Sequence, residues 1–340
     1  MDAFLQNLPK IELHAHLNGS LNTQSIKELG QQLYGENSEQ FLKLCEKFIE
    51  FDNTDLDYCF QKFAFMHELT STTKGLKLAC EMVIRDFAKD NVIYLELRTT
   101  PKLNENMTRR EYIKLIIEAI QEYSEKYSIM VKLLISIDRA QSVESAEEIV
   151  NLAGDFNEKY PDIVKGVDLS GNPNKGKFND FINVFSKAKQ SMLNLALHCA
   201  EVSNPEETQE MLDFGFQRCG HGTFLNQVQL QQCLQSHITI ECCLTSNVKC
   251  GTVTSYDSHH FKYLFQNKIK AVLCTDDSGV FDTTLTEEFK LACKHFELNK
   301  TDINILSLNA IEASFASQQE KYILRQHIEK YFKQTNEVYK

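Results

Sequence analysis

The chain has 340 residues, 42% hydrophobic and 24% charged, a globular composition long enough for one large α/β barrel or two average domains. No run approaches about 18 consecutive apolar residues, which excludes a helical membrane span, and a net charge of −11 argues against a broad nucleic-acid or anionic-membrane surface. Eleven cysteines, odd in number and without CxxC spacing, suit a reducing cytosol rather than a disulfide framework. The opening MDAFLQNLPK has no basic segment ahead of an apolar one, so no secretory leader is expected.

A rhythm then repeats along the chain: a short apolar, β-branched run, a polar motif, and a longer helical pattern. KIELHAHLNGS (from Lys10) is the first run. On a strand, residues i and i+2 share a side, so His14 and His16 present two imidazoles together. The stretch from Leu21 to Asp90 is long enough for several helices and is expected to form a lid. NVIYLELRTTPK (from Asn91) is the second run and ends on Thr99-Thr100-Pro101-Lys102. TRREYIKLIIEAIQEYSEKY follows, with apolar residues at helical spacing. VKLLISIDR (from Val131) ends on Asp138-Arg139, and IVKGVDLSGNP (from Ile163) breaks at Gly171. LNLALHCAE (from Leu193) carries His198 and Glu201, and FQRCGHGT (from Phe216) carries His221. ITIECCLTSN (from Ile238) and IKAVLCTDD (from Ile269) complete the series, the last ending on Asp276-Asp277. The remaining tail reads as helices.

Strand-helix alternation points to a parallel sheet, and eight such units point to a closed (β/α)8 TIM barrel. Extra helices are expected between strands one and two and at the C-terminus, with residues 1–340 forming a single hydrolase domain. A doubly wound open sheet would show GxGxxG after the first strand, and it is absent. In a barrel the chemistry sits at the C-terminal strand ends, where every motif above falls. His14, His16 and His198 would then converge as three nitrogen ligands. Either Asp276 or Asp277 would supply an oxygen, completing a mononuclear zinc site with room for water. Taken singly, each has a plainer explanation: a buried hydrogen-bonded histidine, or an Asp-Asp turn or helix cap. Joint placement at four strand ends is what makes them a site.

In this order and spacing, HAHLNGS, SGNP, HCAE, GHG and TDD resemble the adenosine deaminase branch of the amidohydrolase barrels over nearly the whole chain. The resemblance implies that His14, His16, His198 and Asp276 bind one zinc ion per chain. By it, Glu201 is the catalytic acid that protonates the purine ring, and His221 sits beside the attacking water to take or steer its proton. Asp277 and the Gly171 backbone hold the purine, with His16 also among the substrate contacts. Strand four ends Leu169-Ser170-Gly171, without the lysine that bridges two metals in other amidohydrolases, so one ion is expected.

Nucleoside-cleaving members carry aspartate at the position of Asn18, facing the ribose 5′-hydroxyl. Removing that charge favours a 5′-phosphate. Two unit charges 4 Å apart cost about 4 kcal/mol at an effective dielectric of 20, and about 1 in bulk water. An amide can also donate to the phosphate. Thr99, Thr100, Pro101 and Lys102 would add hydroxyls, backbone amides and an ammonium, His67 could reach the same group, and Asp138 could order the ribose or the phosphate loop. HAHLNGS with DLSG and LRTTP is most similar to the N6-methyl-AMP deaminase subgroup. That implies zinc-dependent hydrolysis of N6-methyl-AMP to IMP and methylamine in the turnover of methylated RNA. The expected setting is a cytosolic monomer that binds a small purine nucleotide, with no nucleic acid or membrane partner. Asn172 departs from an acidic residue common in relatives. The alternatives are a plain adenosine deaminase, a non-catalytic purine-nucleotide-binding barrel, and a metal-dependent phosphatase.

Overall fold

All eight apolar runs become strands in the computed structural model, which describes residues 1–50, 63 and 65–337. They are β1 (Lys10–His16), β2 (Val92–Thr99), β3 (Met130–Asp138), β4 (Val164–Ser170), β5 (Asn194–Cys199), β6 (Arg218–His221), β7 (Thr239–Cys242) and β8 (Ala271–Leu273). Each pairs in parallel with the next, in sequence order. The ring closes just beyond β8: Asp276 N–H donates to the His14 carbonyl at 2.8 Å, and His16 N–H to the Asp276 carbonyl at 3.1 Å. The fold is a (β/α)8 barrel, as the strand-helix rhythm requires.

The crossovers are helical. In chain order the helices are α1 (Asp2–Asn7), α2 (Thr23–Tyr34), α3 (Glu39–Glu50), α4 (Thr73–Lys89), α5 (Arg109–Tyr127), α6 (Val143–Lys159), α7 (Ile182–Gln190), α8 (Pro205–Phe214), α9 (Gln227–Gln235), α10 (Leu244–Lys249), α11 (Phe261–Gln266), α12 (Leu285–Phe296), α13 (Lys300–Ala313) and α14 (Gln318–Glu337). Their starts are written in side chains. Asn22, Thr72 and Thr108 each accept a backbone N–H of the first turn, and Thr108 forms a reciprocal capping box with Glu111. Part of the expected lid, residues 51–62 and 64, lies outside the described residues. The adjoining residues 65–69 are helical and carry His67. Among the described residues no helix is long and apolar enough to cross a membrane.

One strand face packs outward: Leu13, Ala15, Leu95, Leu97, Leu133 and Ile135 are buried in the hydrophobic core. The inward face is unusual for a barrel, whose interior is commonly filled with branched apolar side chains. Glu12, Glu96, Arg98, Asp168, Arg218 and Glu241 are all buried. Arg218 bridges Glu96 and Glu241, and Arg98 bridges Glu241 and Asp168. Three carboxylates alternate with two guanidiniums, so each carboxylate of this ladder has a guanidinium partner; a buried charge without one would cost several kcal/mol. The tail joins this ladder: Phe315 N–H donates to Glu96 at 2.6 Å, and Arg218 donates to the Ala313 carbonyl at 3.0 Å.

Candidate active site

β1, β5 and the segment after β8 deliver His14, His16, His198 and Asp276 to one point. The two β1 histidines share a face because of the strand's period of two. His14 Nε2 lies 3.1 Å from His198 Nε2, and His16 Nε2 lies 3.3 Å from it. Asp276 Oδ1 is 3.4 Å from both His14 Nε2 and His16 Nε2. Four donor atoms around a tetrahedral ion, each at about 2.0–2.1 Å, lie roughly 3.3–3.4 Å apart. The spacing of these four atoms fits that cage. One ligand atom from each of His14, His198, His221 and Asp276 also falls within 4.8 Å of the others, as does one from each of His16, Asp168 and His198.

Asp168 is an orienter rather than a ligand. It accepts from His198 Nδ1 at 2.9 Å, on the far side of that ring, and from Ser136 and Arg98. Glu241 holds His14 Nδ1 in the same way at 2.8 Å. A carboxylate on Nδ1–H fixes the tautomer and leaves the Nε2 lone pair for a metal. Despite burial, the His198 and Arg98 charges hold the Asp168 carboxyl well below its usual range. Glu241 is likewise held low, against its burial, by Arg98 and Arg218. Burial pushes His16 down to about 3, so its ring is neutral. His14 moves the other way, to about 9: burial and Arg98 oppose protonation, but hydrogen bonds to Asp276 and Glu241 outweigh them. The fourth candidate ligand, Asp276, is steadied by Ser246 Oγ at 2.7 Å.

Around this cluster opens a cavity of about 450 Å³ lined by His16, Asn18, Gly171, Glu201, His221 and Asp277, among others. His221 Nε2 lies 3.9 Å from Glu201 Oε1 and 3.9 Å from Asp276 Oδ2. Asp277 is buried, and its Oδ1 has no hydrogen-bond partner among the described residues. Burial and then the Asp276 charge raise its pKa well above the usual range, which favours the protonated carboxyl. Gly19 permits that placement: a Cβ there would come within 1.6 Å of Asp277 Oδ1. Gly171 has φ +93°, a left-handed conformation that favours glycine. Left-handed φ recurs at Ala200, His221 and Asp276, each at a strand end where the chain turns and re-aims a side chain. Such outliers cluster at functional sites.

Farther from the cluster the wall is formed by His67, Thr99, Thr100, Lys102 and Asp138. Lys102 has no hydrogen-bond partner among the described residues; burial lowers its pKa and Asp138 partly restores it. Desolvation by the surrounding pocket wall, then the Lys102 charge, also lowers His67. Two details, at Asn18 and Pro101, differ from expectation. Asn18 does not offer its amide to the pocket: Nδ2 donates to Thr70 Oγ1 at 2.7 Å and faces His67 Nδ1 at 3.3 Å. Thr70 must accept there, because its own hydroxyl donates to the Met66 carbonyl. Pro101 is buried and is not on the cavity wall, since an extended chain points alternate residues away. Asp138 forms no ion pair with Arg139, which is engaged by Glu207 at 2.7 Å, and instead accepts from Ala140 N–H.

Sequence reasoning missed the residues that hold the site from behind: Asp168, Glu241, Arg98, Ser246 and Asn247. The signal was present. A carboxylate inside the apolar run ITIECC, and another two residues before the end of GVDLS, occupy inward strand positions where an unpaired charge is untenable.

Comparison with known proteins agrees with this geometry. The family model described as Adenosine deaminase matches residues 9–331. The chain is 53% identical over 332 residues to an adenosine deaminase-like protein of Drosophila melanogaster, covering 97% of this chain and 98% of the relative. It is 41% identical to the N6-methyl-AMP deaminase of Homo sapiens, covering 95% and 93%. A crystal structure of Arabidopsis ADAL complexed with IMP superposes with a TM-score of 0.87 at 39% identity, covering 96% and 98%.

Proposed function

The chain belongs to the adenosine deaminase family and is a hydrolytic deaminase, and on that premise we propose that it converts N6-methyl-AMP to IMP and methylamine with one zinc ion. One observation carries the substrate choice. The cavity wall holds Lys102, His67, Thr100 and Asp138 together with a neutral amide at Asn18, where nucleoside-cleaving members carry aspartate. An ammonium without a hydrogen-bond partner at a pocket wall is suited to a phosphate. The relatives named as N6-methyl-AMP deaminases, and the IMP complex of a related structure, support a nucleotide rather than a nucleoside.

His14, His16, His198 and Asp276 would hold the zinc, whose contribution when bound is to acidify a water to a pKa of about 7. The remaining steps belong to the chain. The purine lies across the cavity with its ring edge on Asp277, whose retained proton donates to N7, and on the Gly171 backbone. Glu201, close to His221 but outside the ligand set, delivers a proton to ring N1 and makes C6 electrophilic. Such assistance is typically worth 10²–10⁴-fold. His221 faces the attacking water. The nine described cysteines are all free thiols, which supports a reducing, cytosolic setting.

The test is turnover of adenosine, AMP and N6-methyl-AMP side by side, with amine and nucleotide products identified and metal content measured on the same sample. IMP and methylamine are expected. Strong turnover of adenosine with none of the nucleotides would overturn the substrate assignment. Glu201→Gln should retain zinc and nucleotide while losing turnover by about 10²-fold or more.

A further inference from the structure

Behind His221, on the side away from the cavity, runs a buried hydrogen-bond chain that no step above uses. It starts at a group whose role is unambiguous. The backbone N–H of Phe261 can only donate, and it points at His259 Nδ1 at 3.1 Å. His259 Nδ1 is therefore the lone-pair nitrogen. The ring is neutral, since burial drives its pKa down to about 2, so its single proton resides on Nε2. That Nε2–H meets Asn247 Oδ1 at 3.1 Å, which fixes the orientation of the Asn247 amide. Asn247 Nδ2 must then face, and donate to, His221 Nδ1 at 3.2 Å. His221, Asn247 and His259 are all buried, where a reversed amide would set donor against donor and lone pair against lone pair with no water to relieve either. A second brace holds the backbone: His260 Nε2 donates to the His221 carbonyl at 2.9 Å, with the His260 ring 4.2 Å from that of His259.

We propose that Asn247 and His259 are positioning residues that lock His221 in the Nε2–H tautomer, so that His221 serves the reaction by donating a hydrogen bond into the cavity rather than by accepting the water's proton. The geometry decides between the two roles left open by the sequence. His221 Nε2 is the nitrogen facing Glu201 and Asp276. Accepting a proton there requires the Nδ1–H tautomer, and Nδ1 is already occupied by the Asn247 donor. A fixed donor in a water-excluding site can hold and polarise the oxygen that attacks without reorganising.

This inference rests on the deaminase reading for its catalytic half, but the tautomer can be tested independently. The full chain, loaded with zinc and labelled with ¹⁵N-histidine, is measured by NMR, with His221 assigned through a His221→Gln variant. The expected spectrum has His221 Nδ1 as an unprotonated nitrogen and Nε2 as a protonated one. The reverse pattern overturns the proposal whether or not the protein deaminates any nucleotide. Asn247→Asp then replaces the donor with an acceptor and should move the proton to Nδ1 in the same spectrum. Metal content and substrate KM should hold within about twofold, while kcat falls by roughly 10²-fold, the scale for losing one preorganised donor. His259→Phe removes the brace but leaves the Asn247 amide, and should give a smaller loss with mixed tautomers. A tautomer that switches in Asn247→Asp with kcat unchanged would also overturn the proposal, because His221 would then work equally well as either species. Absent turnover in the unsubstituted protein would instead sink the deaminase reading and leave the tautomer result standing.

Discussion

The floor and the rim of the cavity are built on opposite plans. On the floor the polar groups are already paired: His14 with Glu241, His198 with Asp168, Asp276 with Ser246, His221 with Asn247. All eight are buried, and the two orienting carboxylates are tied into the arginine ladder. The rim is looser. His67 is exposed, Asn18 and Lys102 are half-buried, and Lys102 is the cation that a ligand's charge can reach. A floor whose groups are held by the protein is committed to one arrangement of lone pairs, and so to one chemistry. A rim whose one ammonium, Lys102, has no hydrogen-bond partner among the described residues is committed there only when a substrate arrives, and so selects among substrates. Reaction and specificity should therefore be separable by experiment.

Metal removal gives the largest expected effect. Chelation should abolish turnover and lower the melting temperature, because a ligand bound only by the folded state stabilises it by about 4 kcal/mol at a thousandfold excess over Kd. Nucleotide binding, measured by calorimetry with IMP, should be weakened and not lost, since the rim is untouched. Complete loss of IMP binding in the metal-free protein would break the division.

Asp168→Asn sharpens the same point from within the floor. The amide oxygen still accepts from His198 Nδ1 and Arg98, which share Oδ1, but the carboxylate charge is lost and an amide N–H replaces the oxygen that accepts from Ser136. Loss of such a supporting partner typically costs 10–100-fold in metal affinity. Competition against a fluorescent chelator should show a shift of about that size, with KM for the nucleotide unchanged once the metal is saturating. A change in KM without a change in metal affinity would place Asp168 on the wrong side of the comparison.

Lys102→Met acts at the rim alone. Hydrogen bonds to charged groups contribute about 1.5–3 kcal/mol, roughly 10- to 150-fold in affinity. KM for N6-methyl-AMP should rise by about that factor with kcat preserved, while any activity on adenosine should stay as it was. An equal loss on adenosine would mean that Lys102 serves the barrel and not the phosphate.

The same division explains what could be read before any coordinates. β1 through β8 fall on the eight apolar runs, β3 starting one residue earlier at Met130, because parallel strands buried on both faces leave a dense β-branched signal. His14, His16, His198 and Asp276 were visible because they stand at the ends of those runs, where the chain changes character. Glu241 and Asp168 were not visible as partners, because pairing across a barrel depends on which strands face each other and not on sequence distance: His14 and Glu241 are 227 residues apart. The left-handed backbone at His221 and Asp276 was equally hidden, since Asp and His tolerate that region better than most residues but occupy it only in particular turns. At the rim, the substitution at position 18 was legible as a missing charge. Its hydrogen bonds were not, because Thr70 and His67 reach it from a helical segment whose docking no local pattern encodes.

Asn18 is where the smallest effect, and the finest discrimination, is expected. Its amide does not wait for phosphate: Nδ2 is committed to Thr70 Oγ1 and His67 Nδ1, which leaves the proton of a neutral His67 on Nε2. Asn18→Asp would remove that donor and add a negative charge near the proposed phosphate position. Because the rim is solvated, the near-bulk dielectric applies, and a unit charge at about 4 Å costs about 1 kcal/mol, or roughly fivefold in affinity. KM for N6-methyl-AMP should rise by about that factor with kcat unchanged, and the difference should shrink as salt is added, since exposed charges are screened. Adenosine, which brings no phosphate, should show no such rise. If KM for the nucleotide does not move, then Asn18 matters through its hydrogen bonds alone, and Thr70→Val, which removes the acceptor while keeping the volume, should reproduce whatever effect remains.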